Sequence, residues 1–457
     1  MNEVCLGEIQ QWTDAELVGI LSEGWEPPGI SIDTRTIAKG DLFLALEGPN
    51  FDGHEFIEQA FESGACGALV NRNRVERGGK ASGPLLMVQS PLEALGEIAR
   101  NYRRRFELPV IGVVGSAGKT TVKEMVAAVL GRKYRVLKTA GNENNEVGVP
   151  QTLLQLTQKH EAVVLELAAR KIGDIEYLCS IAQPQIGLLL NIGTAHIEFF
   201  GSVEGVAKAK GELLEYLDES CLALVNADDC VVVKEVKRTK GRLLTFSLER
   251  ESQFRGEGLV LDQEGRGHFS LHNFSFALQV PGRHNVYNAL AAATVGRVLE
   301  VPWEDIQEAL DSFQAVSMRG EFLRNNGIGI INDVYNANPE SVQAALSLLA
   351  DLDADGGRKV VVLGDMLELG VRGAELHAGI GRRLSELDID YLIATGPLSK
   401  ETVKAARKAG MDERRARHFA NKAVLSDHLK AVLQEKDIVL VKGSRGMKLE
   451  EVVERLA

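Results

Sequence analysis

The sequence predicts an α/β protein of three domains. These are a small mixed α/β domain, a central domain with a mostly parallel sheet and a β insertion, and a Rossmann-like C-terminal domain. Three observations point there. The 457 residues are too many for one core at roughly 150 residues per domain. Short apolar runs ending in Gly, Asn or Asp alternate with helical patterns, which is how parallel sheets read. Glycine outnumbers proline by 46 to 12, as many tight strand-to-helix turns require. The composition, 45% apolar and 25% charged, excludes disorder, collagen and coiled coil for the chain as a whole.

The first domain is expected over residues 1–90. Its apolar runs DLFLAL (41–46), GALV (67–70) and LLMV (85–88) flank one helical pattern, HEFIEQAFESG. The second, 91–319, opens with a basic helix, LGEIARNYRRRF. The strand PVIGVVG (109–115) follows, then AVVLEL (162–167), IGLLLNI (186–192) and LALVN (222–226). Residues 241–280 read as short antiparallel strands, LLTFSL, GLVLD, HFSLH and FSFALQV, before the helix NVYNALAAATVGRVL. The third, 320–457, repeats strand and helix: IGIIND (328–333), KVVVLGD (359–365), YLIATG (391–396) and IVLVKG (438–443). It has no GxGxxG, so a dinucleotide is not inferred.

The net charge of −12 argues against a polyanion binder, so no nucleic-acid partner is expected. Any phosphate is then held by a local site. Five scattered cysteines without a CxxC pair indicate neither a zinc knuckle nor a disulfide framework. The N-terminal MNEVCLGEIQQW lacks the regions of a signal peptide, and no run reaches the ~18 apolar residues of a membrane span. A cytoplasmic protein, not inserted in a membrane, is expected.

The strongest local signal is Gly115-Ser116-Ala117-Gly118-Lys119-Thr120-Thr121, between a buried strand and the helix TTVKEMVAAVL. Its glycines let backbone N–H groups face phosphate oxygens, and the helix N-terminus adds positive potential. Lys119 would reach the β/γ-phosphates and Thr120 a Mg²⁺ ion. Val113 replaces the first glycine of the longer Walker pattern, so the loop is the compact form. Other residues read two ways. Glu166 ends a strand, where Mg²⁺ would be met or a carboxylate simply solvated. His196 follows another strand and is a site or a structural histidine. Lys210, in GVAKAKGELLEYL, reads as a surface lysine on an amphipathic helix. Arg319 is a γ-phosphate clamp or a linker arginine. Asp333 with its asparagines, and Asp365 with Glu368, sit in loops that line a ligand crevice or are ordinary turns.

Taken together, GVVGSAGKTTVKEM, GNENNEVGVPQTLL, NIGTAHIEFFGS, AKAKGELL, PGRHNVYNALAAA, MRGEF, NDVYNANPES, GDMLELG and VKGSRGMKLEEVV resemble the Mur ligases, nearest to the branch that adds D-alanyl-D-alanine. The run SIDTRTIAKGDLFLALEGPNFDGHEFIEQAFESGA is similar to that family's UDP-binding domain. The resemblance implies a UDP-precursor-binding first domain, an ATP-binding P-loop domain, and a third domain that brings the dipeptide. The implied activity joins D-alanyl-D-alanine to UDP-N-acetylmuramoyl-tripeptide through an acyl phosphate, giving ADP and phosphate, in peptidoglycan precursor synthesis. A monomer is expected.

The resemblance also implies roles. Gly115–Thr121 form the phosphate loop, with Ser116 and Ala117 in it. Thr120 and Glu166 are magnesium ligands, His196 a second metal ligand, and Lys210 a lysine carbamylated by CO₂ that supports the metals. Asn288 contacts adenine, and Arg319 and Asp333 clamp the nucleotide. Ser31, Asp33, Thr34, Arg35, Asn50, Asp52, Gly53 and His54 match the UDP side. Asn142, Asn144, Asn145 and Glu146 match the loop facing the acyl chemistry. Asn336, Asn338, Asp365, Met366 and Glu368 match loops around the dipeptide. The chain departs from the family pattern at Leu167-Ala168-Ala169-Arg170, Gly173-Asp174-Ile175 and Asn332-Asp333-Val334. Lysine- or diaminopimelate-adding ligases and folylpolyglutamate synthases are the nearest rivals, but no DNPR-like motif is present. A kinase or plain NTPase leaves Lys210 and the UDP-type domain unexplained. A non-catalytic homologue predicts loss of Lys119, Glu166, His196 or Lys210, and all four are present.

Overall fold

The computed structural model describes residues 1, 4–20, 24–48, 51–74 and 82–456. They group into two compact units. The first comprises Met1–Gly112, Tyr134–Ala168 and Gly173–Ile186, and the second Val113–Lys133, Ala169–Ile172 and Gly187–Ala457.

In the first unit, five strands form one sheet in the order Glu16–Val18, Leu85–Val88, Gly67–Asn71, Leu42–Leu44, Ile30–Ser31. The first pairing is antiparallel and the other three are parallel. The three apolar runs become the inner strands because both their faces are covered, as parallel strands require. Phe43, Ala68, Val70, Leu85 and Met87 pack with Ile57 and Ala60 of the helix Ile57–Glu62. The basic helix forms as Pro91–Arg103, with Ser90 accepting from the Glu93 amide and proline in the first turn, a favoured start. Arg103 is buried and donates to the carbonyls of Ala182 and Phe106 at 3.1 and 3.0 Å. Val136–Lys138 and Ala162–Glu166 pair in parallel in the same unit.

In the second unit, Leu222–Asn226 pairs in parallel with Arg242–Ser247. This corrects the antiparallel reading of LLTFSL. The helix Cys230–Glu235 makes the connection a β–helix–β crossover, and crossovers return strands in parallel. Phe254–Leu261, Arg266–Leu271 and Phe274–Pro281 are the antiparallel insertion.

The same unit holds a six-stranded sheet in the order Glu321–Asn325, Ile328–Asp333, Ile438–Lys442, Lys359–Leu363, Tyr391–Thr395, Ala416–Phe419. Only the first pairing is antiparallel. Alternate residues serve opposite faces: Ile331, Val361, Leu363, Leu392 and Leu440 face one core, and Ile330, Val360, Val362, Ile393 and Val439 the other. Ile438–Lys442, last in sequence, lies between the strands ending at Asp333 and Leu363. Loops leaving the carboxyl ends of such neighbours line a crevice. Among the described residues no helix is long and apolar enough to cross a membrane.

Candidate functional site

The strand Val110–Val114 ends at the glycine loop, and Gly118 starts the helix Lys119–Leu130 with φ +82°. That left-handed conformation favours glycine. A Cβ at Gly118 would also lie 2.8 Å from Asn288 Oδ1, so a buried amide abuts the loop. Asn288 is itself held by Nδ2 donating to Asn285 Oδ1 at 2.9 Å.

Sequence reasoning missed the loop's main support, Asn191. Its Oδ1 accepts the Ser116 and Ala117 amides at 3.0 and 2.8 Å, and its Nδ2 donates to the Ala117 carbonyl at 3.0 Å. The Gly193 amide donates to Ser116 Oγ at 2.8 Å. A polar residue at a strand end was the only signal available.

The loop gathers two lysines. Lys119 Nζ and Lys210 Nζ donate to the same Gly115 carbonyl, at 2.9 and 3.1 Å. Lys210 is 2% exposed, which corrects its reading as a surface lysine. It falls on the helix stripe of Val206, Leu213 and Leu214, all buried, whereas Lys208 faces solvent. Burial pushes the Lys210 ammonium well below the usual lysine range, and the Lys119 charge adds to this.

His196 joins them electrostatically. Burial holds its imidazole below the usual pKa; Glu368 pulls it up, and Lys119 and Lys210 push it back down. His196 Nδ1 lies 2.5 Å from Glu368 Oε2, and Arg170 Nη2 lies 3.8 Å from Glu368 Oε1. Both His196 and Glu368 have φ +61°, a strained backbone for residues with a Cβ. With Nδ1–H donated to the carboxylate, Nε2 keeps its lone pair. Glu368, matched to the dipeptide loops by resemblance, thus also orients His196.

A second carboxylate, Glu340, was not singled out from sequence. It accepts from the Thr194 amide at 2.6 Å and from Thr194 Oγ1 at 3.1 Å. Nearby, Asn338 Nδ2 donates to the Ser116 carbonyl at 3.4 Å. Asn338 also caps the helix Pro339–Asp351. Lys442, 2% exposed, donates to Asp333 Oδ2 at 2.5 Å and to the Asn336 carbonyl at 3.0 Å. Asp365 is buried and accepts from the Leu398 and Ser399 amides and Ser399 Oγ at 3.1, 2.7 and 2.6 Å. Met366 is buried too, its amide donating to His377 Nε2 at 3.0 Å. The guanidinium of Arg319 lies 3.7 Å from the Tyr335 ring centroid.

The remaining residues belong to the first unit. Glu166 is buried, accepts from Asn144 Nδ2 at 2.7 Å, and has its amide on Thr139 Oγ1 at 3.0 Å. Asn145 Oδ1 accepts the Gly148 amide at 3.0 Å, while Asn142 and Glu146 are exposed. Ser31 Oγ donates to the Asp33 carbonyl at 3.0 Å. The Arg35 side chain grips Asp33 and draws its carboxyl down to about 2, and Thr34 is half-buried beside them. Asp52 accepts from the His54 amide at 3.0 Å and from His54 Nδ1 at 2.6 Å, and His54 Nε2 accepts the Asn71 amide at 2.9 Å. These bonds fix the His54 ring as the Nδ1–H tautomer. A Cβ at Gly53 would lie 2.7 Å from the Leu46 carbonyl oxygen, so only glycine fits. Asn50 lies outside the described residues.

Gly118→Ala is expected to add about 1–2 kcal/mol of backbone strain and to crowd Asn288. Titration with a fluorescent ATP analogue should show about tenfold weaker binding, with an unchanged midpoint for UDP-ligand binding.

Three family models match the chain: "Mur ligase family, catalytic domain" over residues 28–103, "Mur ligase middle domain" over 113–296, and "Mur ligase, glutamate ligase domain" over 318–445. The UDP-N-acetylmuramoyl-tripeptide–D-alanyl-D-alanine ligase of Bacillus subtilis (strain 168) is 36% identical, with 94% of this chain and 93% of that protein covered. The enzyme of the same name from Escherichia coli (strain K12) is 37% identical, with 93% of each covered. Among solved structures, MurF from Acinetobacter baumannii superposes with a TM-score of 0.90 at 32% identity, covering 98% of this chain and 97% of that one. MurF ligase from Thermotoga maritima, solved in complex with ADP, gives 0.83 at 30%, covering 93% and 96%.

Proposed function

The chain belongs to the Mur ligase family, and from that premise we propose that it is an ATP-dependent ligase. It joins D-alanyl-D-alanine to UDP-N-acetylmuramoyl-tripeptide in peptidoglycan precursor synthesis, in the cytoplasm and as a monomer. One observation carries the reading beyond resemblance: a buried lysine, Lys210, meets the phosphate-loop Lys119 on one carbonyl, Gly115. A plain NTPase reading leaves that second, desolvated amine unexplained. The division into 1–90, 91–319 and 320–457 stays part of the proposal; the three matched segments agree with it in number and order, and the first of them runs on to residue 103.

The tripeptide's terminal carboxylate attacks the γ-phosphorus of ATP, and ADP leaves. The amine of D-alanyl-D-alanine then attacks the acyl carbon of the resulting acyl phosphate, and phosphate leaves. Both first reactants are anionic, so the site must supply positive charge. Lys119 and the loop amides of Gly115–Thr121 meet the β/γ-phosphates, Arg319 closes on the γ-phosphate and with Asp333 clamps the nucleotide, and Asn288 contacts adenine. Ser31, Asp33, Thr34, Arg35, Asn50, Asp52, Gly53 and His54 hold the UDP end. Asn142, Asn144, Asn145 and Glu146 face the acyl group. Asn336, Asn338 and Glu368 face the dipeptide, on loops anchored by Asp365 and Met366.

Magnesium fits the donors present. In the second unit Thr120 opens the helix behind Lys119 and the Nε2 of His196 adds an imidazole, and the resemblance adds the carboxylate of Glu166. Among the described residues no three His, Cys, Asp or Glu side chains converge, and a magnesium ion that takes most of its oxygens from phosphates and water needs no such cage. When bound, the ion neutralises phosphate charge. Lys210 acts as its carbamate, a carboxylate equivalent.

The test is incubation with ATP, UDP-N-acetylmuramoyl-tripeptide and candidate amines. Phosphate release and a pentapeptide product with D-alanyl-D-alanine are expected. Release with lysine or diaminopimelate, and none with the dipeptide, would overturn the reading.

A further inference from the structure

We propose that Tyr335 is a positioning residue that holds Arg319 ready for the nucleotide. The inference rests on the reading of Arg319 as a nucleotide contact and adds the group that prepares it. The Arg319 guanidinium lies over the Tyr335 ring, 3.7 Å from its centroid, well inside the range at which a cation is drawn to a π face. Stacking uses the flat face of the guanidinium and leaves its N–H edges free for phosphate oxygens. Among the described residues Arg319 makes no ion pair. A carboxylate in that place would compete with the phosphate, whereas a ring does not.

The backbone shows that this is a built arrangement. The Tyr335 amide donates to the Met318 carbonyl at 3.1 Å, which fixes the residue next to Arg319. Met318 takes φ +62°, and its amide reaches Glu321 Oε2 at 3.3 Å. The same oxygen accepts from Asn332 Nδ2 at 3.1 Å. On the other side, Lys442 ties Asp333 and Asn336, the residues that bracket Tyr335. Ring and guanidinium are thus each held by their own main chain. An arginine without such a shelf samples many rotamers and loses that freedom on binding.

A double-mutant cycle on the full-length enzyme tests this. Tyr335→Leu is expected to lower kcat/KM for ATP about five- to tenfold and to leave KM for the UDP substrate unchanged. Tyr335→Phe, which keeps the ring, should match the wild type. In an Arg319→Ala background, Tyr335→Leu should add nothing, because its effect passes through the missing guanidinium. An equal further loss in that background overturns the inference, and so does a neutral Tyr335→Leu beside a damaging Arg319→Ala. An Arg319→Ala enzyme with wild-type ATP kinetics would sink the nucleotide reading of Arg319, and this inference with it.

Discussion

Lys119→Ala is expected to leave about one per cent or less of the ligation rate, read as phosphate release at saturating dipeptide. In the transition state, charge builds on the oxygens between the β- and γ-phosphates, and a fixed ammonium there is worth about 3–4 kcal/mol. The ammonium is already in the loop, 2.9 Å from the Gly115 carbonyl, so it needs only to turn toward the nucleotide. Lys210 cannot substitute: it is buried, and its own charge is disfavoured. Losing Lys119 removes a like charge and lets the Lys210 pKa rise toward the ordinary lysine range, but burial, the larger cause, remains. Binding of the UDP substrate should persist, because the residues proposed to hold it belong to the other compact unit; this separates lost chemistry from lost folding. Turnover near the wild-type rate would refute the role.

What the sequence made legible follows from burial and locality. The strands Ile328–Asp333, Lys359–Leu363, Tyr391–Thr395 and Ile438–Lys442 could be read because strands covered on both faces become continuous apolar runs. Ala416–Phe419, whose sequence is ARHF, could not, since it lies at the sheet edge with one neighbour. The strand, glycine loop and helix around Gly115–Thr121 were legible because they are contiguous in sequence. Asn191 and Glu340 were not: each acts through a contact to a distant segment, and either could pass for an ordinary polar residue at the end of a strand or the start of a helix. Lys210 is the instructive case. Its spacing of four and three residues from Val206 and Leu213 puts it on the core stripe, so periodicity alone could have flagged a lysine where an apolar residue belongs.

Lys210→Ala should abolish ligation, with partial recovery on adding short carboxylates such as formate or acetate. Among the described residues Lys210 has no carboxylate partner, and a lysine so buried is a poor structural choice, since burial penalises the ammonium. Lowering the pKa, however, favours the neutral amine over a wider range of pH. Only the neutral amine attacks CO₂: one N–C bond forms, one proton leaves, and the product is a carbamate anion. So modified, the side chain would carry negative charge where the unmodified lysine carries positive or none, beside the glycine loop proposed to hold the triphosphate. Two consequences have definite signs. Activity should fall as pH drops through the lowered pKa, because the protonated amine cannot react. It should also fall when CO₂ is stripped from the buffer and return with bicarbonate, in the wild type but not in the rescued variant. Truncation to alanine leaves a cavity next to Gly115, and a small carboxylate can enter it, whereas Lys210→Met fills that space and should be inactive with or without formate. Full activity in the alanine variant, or equal rescue of both variants, would show that no carboxylate is needed at that position.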